Sequence, residues 1–144
     1  MIVDVPIKVR YAETDQMGIV YHANYLLYME DARTAFLEAA GYPYAQMEEQ
    51  GFLSPVVDVR LTYGTPLKYG QTVVVRTRVV SNRPTKTTYA YEFFVEGMDY
   101  DHEKPVATAE SIHCIVDGTT FKPTSIKRVL PDLYELYETL VEPA

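Results

Sequence analysis

Between Asn24 and Gly41 runs one unbroken segment of helical character, Tyr25-Leu-Leu-Tyr-Met-Glu-Asp-Ala-Arg-Thr-Ala-Phe-Leu-Glu-Ala-Ala40, whose apolar residues do not keep to one side. Tyr25, Met29, Ala32, Phe36 and Ala40 follow the i, i+3, i+4 rule of a buried helix face, but Leu26, Leu27, Ala35, Leu37 and Ala39 widen that stripe well past it. A helix of about four turns with this pattern needs cover on most sides. Asn24 stands where an N-cap belongs and Gly41 where a helix stops. Whatever the fold is, it is built around this helix.

The cover comes from strands. Ile2 to Arg10 alternates loosely and predicts a first strand, and after the helix come four β-type runs, Val56 to Tyr63, Thr72 to Val80, Thr87 to Val95 and Val106 to Val116. In Val56 to Tyr63, Val57, Val59, Leu61 and Tyr63 are expected on one face and Asp58, Arg60 and Thr62 on the other. The connections at Lys68 to Gln71, Ser81 to Thr85 and Gly97 to Lys104 are short, so neighbouring strands are expected to be antiparallel. Tyr44 to Gln50 predicts a short second helix, and Leu130, Leu133, Leu136, Tyr137 and Leu140 a terminal one starting near Pro131. The order is that of an α+β layer structure, an antiparallel sheet against one mostly buried helix. At 144 residues, with no linker or repeat, residues 1–144 are read as one domain.

Charge and composition narrow the function. A formal net charge of -7 offers no general positive field for nucleic acid or for an anionic membrane. Cys114 is the only cysteine, which excludes an internal disulfide and a cysteine-built zinc site, and His102 and His113 are too far apart in sequence to suggest a metal centre. The start of the chain lacks a basic segment followed by an apolar run, and no uncharged apolar stretch has membrane-spanning length, so a cytoplasmic protein is expected.

Chemistry concentrates in the loop ahead of the helix, Arg10-Tyr-Ala-Glu-Thr-Asp-Gln-Met-Gly-Ile-Val-Tyr-His-Ala-Asn-Tyr25. The carboxylate of Asp15 can act as nucleophile or as general base toward water. Unpaired N–H groups at the helix start, backed by the helix dipole, can hold the oxyanion of an attacked carbonyl. Together they suit acyl transfer. Each residue also has a plainer reading: Asp15 as an Asx-turn residue, Gly18 as a left-handed turn, His22 as a packing residue and Asn24 as a cap.

Taken as a block, Thr14-Asp15-Gln-Met-Gly18-Ile-Val-Tyr21-His22-Ala-Asn24-Tyr25, followed by Glu30 and Ala32-Arg33, resembles the signature of the 4-hydroxybenzoyl-coenzyme A thioesterase-like family of hotdog-fold proteins. The resemblance extends over essentially the whole chain. It implies a hotdog fold, a curved antiparallel sheet of about five strands wrapped around one long central helix. It also implies hydrolysis of an acyl-CoA thioester, with Asp15 as the catalytic carboxylate and a backbone amide at or beside His22 polarising the carbonyl. Asp15 either attacks the carbonyl to form a mixed anhydride or deprotonates a water that attacks it. The side chain of His22 orients Asp15 or lines the pocket. Gly18, Tyr21 and Asn24 are expected to shape the substrate site.

By the same resemblance, no cofactor is required, because coenzyme A is part of the substrate, and two sheets pair edge to edge in a homodimer or homotetramer whose active sites lie between subunits. The nucleotide end of coenzyme A is expected to meet basic residues near a subunit edge. Arg83 and Lys86 are the first candidates, with Lys122, Lys127 and Arg128 behind them; their alternative is a solvated charged turn. Tyr89-Ala-Tyr91 either lines an acyl pocket or packs the core. Two other functions remain open: a hydratase or dehydratase on the same fold, although Tyr21-His22-Ala23-Asn24 fits its Gly- and Pro-rich helix entry poorly, and a non-catalytic acyl-thioester binder.

Overall fold

The computed structural model of the protein describes residues 1–143. Strand β1 (Val3–Lys8) is followed by a 3-10 turn at Tyr11–Glu13, the polar loop, a second 3-10 turn at His22–Asn24 and helix α1 (Tyr25–Ala39). Next come helix α2 (Tyr44–Glu49), the short strand β2 (Phe52–Leu53), and strands β3 (Val56–Tyr63), β4 (Thr72–Arg83), β5 (Lys86–Val95) and β6 (Ala107–His113). Short strands β7 (Ile115–Asp117) and β8 (Pro123–Thr124) lead to helices α3 (Ile126–Val129) and α4 (Pro131–Leu140).

Five strands form one antiparallel sheet in the order β1-β4-β5-β6-β3; the short connections make β4–β5 and β5–β6 neighbours as expected, but β3, expected beside β4 across the Lys68–Gln71 turn, crosses over to pair with β6. Period-two alternation decides which side chains meet the helices. On β5 the inward residues are Tyr89, Tyr91 and Phe93; opposite them β6 supplies Ser111, Ala109 and Ala107. Small residues beside large ones leave room for the rings to lie under α1, where Phe36 packs edge-on to Tyr89 and Tyr25 to Phe93. Tyr28, Met29, Ala32 and Phe36 are buried completely or nearly so, each large side chain contributing on the order of 1.5–3 kcal/mol. Gly41 follows α1 with φ +82, the left-handed stop that its position predicts.

Four further details differ from expectation. Asn24 is not a side-chain cap: its backbone is already helical (φ -72, ψ -15) because the 3-10 turn runs straight into α1, and its side chain reaches back to the loop. A bulge between Val79 and Ser81 keeps β4 paired through Arg83 with Lys86, so only Pro84 and Thr85 turn. The run Val106 to Val116 breaks at Cys114, whose N–H donates to the Pro55 carbonyl, and its end crosses to a separate three-stranded sheet, β2-β7-β8. A second bulge, between Val56 and Asp58, removes Val57 from the register that places Val59, Leu61 and Tyr63 on the helix side.

The helix and the outer strand remain partly uncovered. Leu26 and Leu27 are 42% and 47% exposed, and β3, which has β6 on one side and no strand on the other, leaves Val56, Val57, Val59 and Tyr63 open.

Candidate active site

The loop between β1 and α1 is organised by Glu13, a residue that the sequence reading left without a role. Its carboxylate is buried and accepts from the Arg10 backbone N–H (2.8 Å), Arg10 Nε (3.3 Å) and the Tyr28 hydroxyl (3.0 Å). Its carbonyl accepts from the Tyr21 N–H (2.9 Å) and from Asn24 Nδ2 (2.8 Å). One residue thus joins the start of the loop, its end and the first turn of α1. Burial, and then the adjacent Glu13 charge, raise the Tyr28 phenol well above its ordinary pKa and hold it as a donor. The i, i+3 spacing of Arg10 and Glu13 was the available signal in the sequence.

From Thr14 to Val20 the chain makes a small hairpin. Thr14 and Val20 bridge, and the Asp15 N–H donates to the Ile19 carbonyl (2.9 Å). Gly18 closes the turn by donating its N–H to the Asp15 carbonyl (2.9 Å), with φ +77. A Cβ at Gly18 would meet nothing within 4 Å, so backbone conformation and not space calls for glycine. Asp15 Oδ1 accepts from the Met17 N–H (2.8 Å), which makes the Asx-turn. Oδ2 has no protein partner among the described residues. The turn fixes one carboxylate oxygen and leaves the other free.

Beside Asp15 is a cleft of about 170 Å³ with His22, Tyr25 and Tyr63 on its walls and Ile19 and Val20 as apolar surface. The two peptide N–H groups that open the 3-10 turn, those of His22 and Ala23, donate to no backbone carbonyl among the described residues. The Tyr63 hydroxyl, also unforeseen from sequence, donates to the His22 carbonyl (2.8 Å) and fixes the orientation of the peptide between those two N–H groups. Asp15 and His22 therefore line one cleft, with the unpaired N–H groups of His22 and Ala23 in the turn at its edge.

The other expected residues fall around this cleft or away from it. Gly18 shapes the loop, Asn24 anchors it, and Tyr21 lies beside His22 with ring centroids 4.3 Å apart; none of the three is a cleft wall. Arg83 and Lys86 pair across the β4–β5 turn, which α3 meets through the Ile126 N–H on the Pro84 carbonyl. That turn is at the opposite end of the sheet. Register rows place Tyr63 and Phe93 in line with Ala107, and Val56 and Thr87 in line with His113, about 20 Å away by strand rise. Within one chain, Arg83 and Lys86 do not meet Asp15. Tyr89 and Tyr91 are buried core residues. Among the described residues no group of His, Cys, Asp and Glu is arranged to hold a metal, and no helix is long and apolar enough to cross a membrane.

Comparison with known proteins gives consistent matches. Residues 9–135 match the thioesterase-like superfamily. The chain is 46% identical over 132 residues to YneP of Bacillus subtilis, provisionally named an acyl-CoA thioesterase, with 92% of each chain covered. It is 29% identical over 129 residues to the acyl-CoA thioesterase YbgC of Helicobacter pylori, covering 88% of this chain and 95% of that one. Among solved structures, a DHNA-CoA thioesterase from Staphylococcus aureus superposes with a TM-score of 0.89 at 35% identity, covering 96% of this chain and 89% of its own. The α+β arrangement of five antiparallel strands and a packed helix is that of the hotdog thioesterases.

Proposed function

This chain belongs to the thioesterase-like superfamily, and from that premise we propose that it is an acyl-CoA thioesterase that works at the cleft ahead of α1, with Asp15 as the acting carboxylate. The observation that carries this reading is that Asp15, with its Oδ2 unpartnered among the described residues, lines the same cleft as His22, at the start of a turn whose first two N–H groups have no backbone acceptor. The thioester carbonyl oxygen takes its hydrogen bonds from those amides as negative charge builds on it. Asp15 either forms the new C–O bond itself, giving an acyl anhydride that water then hydrolyses, or removes a proton from a water whose oxygen forms that bond. In both cases the C–S bond breaks and coenzyme A leaves as thiolate. The His22 ring lines the cleft, and Gly18, Tyr21 and Asn24 hold the loop in shape.

Residues 1–144 act as one domain, and no cofactor enters, since coenzyme A arrives within the substrate. Arg83 and Lys86, about 20 Å from the cleft of their own chain, serve the substrate's phosphates from a second copy paired antiparallel along the β3 edge, which brings the far end of one sheet beside the Asp15 end of the other. The net charge of -7 fits a small-molecule enzyme of the cytoplasm, without nucleic-acid or membrane partners.

The test is hydrolysis of aliphatic and aromatic acyl-CoA esters by wild type and Asp15→Asn, read as free thiol. A loss in kcat on the order of a hundredfold or more is expected. Near-full activity in the variant removes Asp15 from the chemistry; a wild type that cleaves none of the esters is a binding protein instead.

A further inference from the structure

A second and larger cavity, about 310 Å³, lies between α1, α2, α4 and the start of β3. Arg33, Tyr89, His113 and Tyr137 give it a polar side, Leu37 and Met47 an apolar one, and the exposed Glu30 also borders it. Val56 borders it as well, whereas Tyr63 borders the Asp15 cleft, so about 20 Å of strand separates the two within one chain.

The polar side is backed by a hydrogen-bond chain that starts at Arg33. Arg33 Nη1 lies 3.1 Å from the Tyr91 hydroxyl, which lies 2.7 Å from Ser111 Oγ, which lies 2.7 Å from His113 Nε2. A guanidinium only donates, so the Tyr91 hydroxyl accepts from Arg33. The Tyr91–Ser111 and Ser111–His113 contacts each join two groups that can donate or accept. Burial, and then the Arg33 charge, push His113 down to about 4, against the pull of the Ser54 backbone, so the ring is neutral at pH 7.

Every partner in this chain is neutral. Among the described residues Arg33 has no Asp or Glu at ion-pairing distance, Glu30 included, and the fork has donors beyond the one given to Tyr91. A half-buried cation that borders a cavity, with neutral neighbours and an apolar wall, favours an anion with an apolar body. The volume is at the lower bound for small-molecule sites and suits a single ring, not coenzyme A.

We propose that this cavity is a second binding site, for a small organic acid whose carboxylate pairs with Arg33 and whose ring-sized apolar body lies against Leu37 and Met47. The carboxylate belongs either to a free acid, such as hydrolysis releases, or to the far end of an acyl thioester held by a second copy; the latter source alone rests on the thioesterase reading.

Calorimetry with benzoate and its neutral analogue benzamide tests the site on wild type, Arg33→Met and Arg33→Lys. Benzoate is expected to bind wild type while benzamide does not, with affinity falling about tenfold or more in Arg33→Met and largely kept in Arg33→Lys. Equal binding of benzoate and benzamide by wild type, no binding of either, or unchanged benzoate binding by Arg33→Met overturns the proposal. The first two outcomes need no variant to fold. Hydrolysis then separates the sources. A KM rise in Arg33→Met for glutaryl-CoA but not benzoyl-CoA identifies the thioester's own carboxylate, and lost benzoate binding with both KM values unchanged identifies the free acid. Because calorimetry needs no turnover, an inactive wild type that still binds benzoate through Arg33 sinks the thioesterase reading and leaves the site standing.

Discussion

Glu13 holds a buried carboxylate among Arg10 and Tyr28, and its removal is expected to loosen the loop that presents Asp15. Glu13→Gln loses the charge-assisted bonds and should lower the urea midpoint by an amount corresponding to about 1–3 kcal/mol, with a fall in kcat alongside. A variant of wild-type stability and activity would show that the tether does not matter. His113 yields a pH prediction. Its unfolded-state value of 6.5 falls to about 4 in the fold, so the unfolded chain binds the proton first. Stability from this group is complete above pH 6.5, declines as the pH drops toward about 4, and is constant below that, a swing of about 3 kcal/mol. Denaturation of wild type and His113→Asn across that window checks it: the variant should lose less stability on acidification. The Asp15 turn was legible in the sequence because loop, glycine and helix start lie within a few residues of one another, whereas local pattern left Asp15 between turn residue and catalyst and only the family resemblance favoured the second. Glu13 and His113 were not, because Tyr28 follows Glu13 by one loop and a helix turn, and Arg33 and His113 come from opposite halves of the chain.

At the scale of elements, the 14–20 hairpin and the 22–24 turn are two ordinary backbone motifs that together carry the proposed site. Gly18→Ala retains every side-chain contact but opposes φ +77, so a loss of about 1 kcal/mol and a weaker Asp15 turn are expected, measurable as a lower Tm and a lower kcat. Tyr63→Phe removes only the hydroxyl that holds the His22 carbonyl. At about 1 kcal/mol for one hydrogen bond, kcat should fall about fivefold with KM little changed; an unaltered kcat would separate that peptide from catalysis. The strands themselves were readable from alternation. Their ends were not, since the bulges at Val79/Ser81 and Val56/Asp58 and the break at Cys114 depend on which strand is alongside.

Across the whole molecule, apolar side chains remain open where the sheet ends, at Val57, Val59 and Tyr63 on β3 and at Leu26 and Leu27 on α1. Placing lysines on that edge, Val57→Lys with Val59→Lys, is expected to abolish the proposed β3-edge dimer, leaving a species of the 16.4 kDa chain mass in sedimentation, and to reduce acyl-CoA hydrolysis. A variant that stays dimeric would move the interface elsewhere. The broad apolar pattern of residues 25–40 already required cover on most sides, and the sheet supplies it on one side only. That helix, the strands that follow it along the chain, and the turn that holds the carboxylate just before it were set by local periodicity and short-range turn chemistry, which a linear pattern records. Tertiary structure alone decided that Glu13 ties the loop to α1, that Tyr63 orients the peptide after His22, that Arg83 and Lys86 lie about 20 Å from Asp15, and that Arg33 borders a cavity with neutral partners. Each depends on strand register or on a helix laid across a sheet, and those bring together residues that no sequence spacing connects.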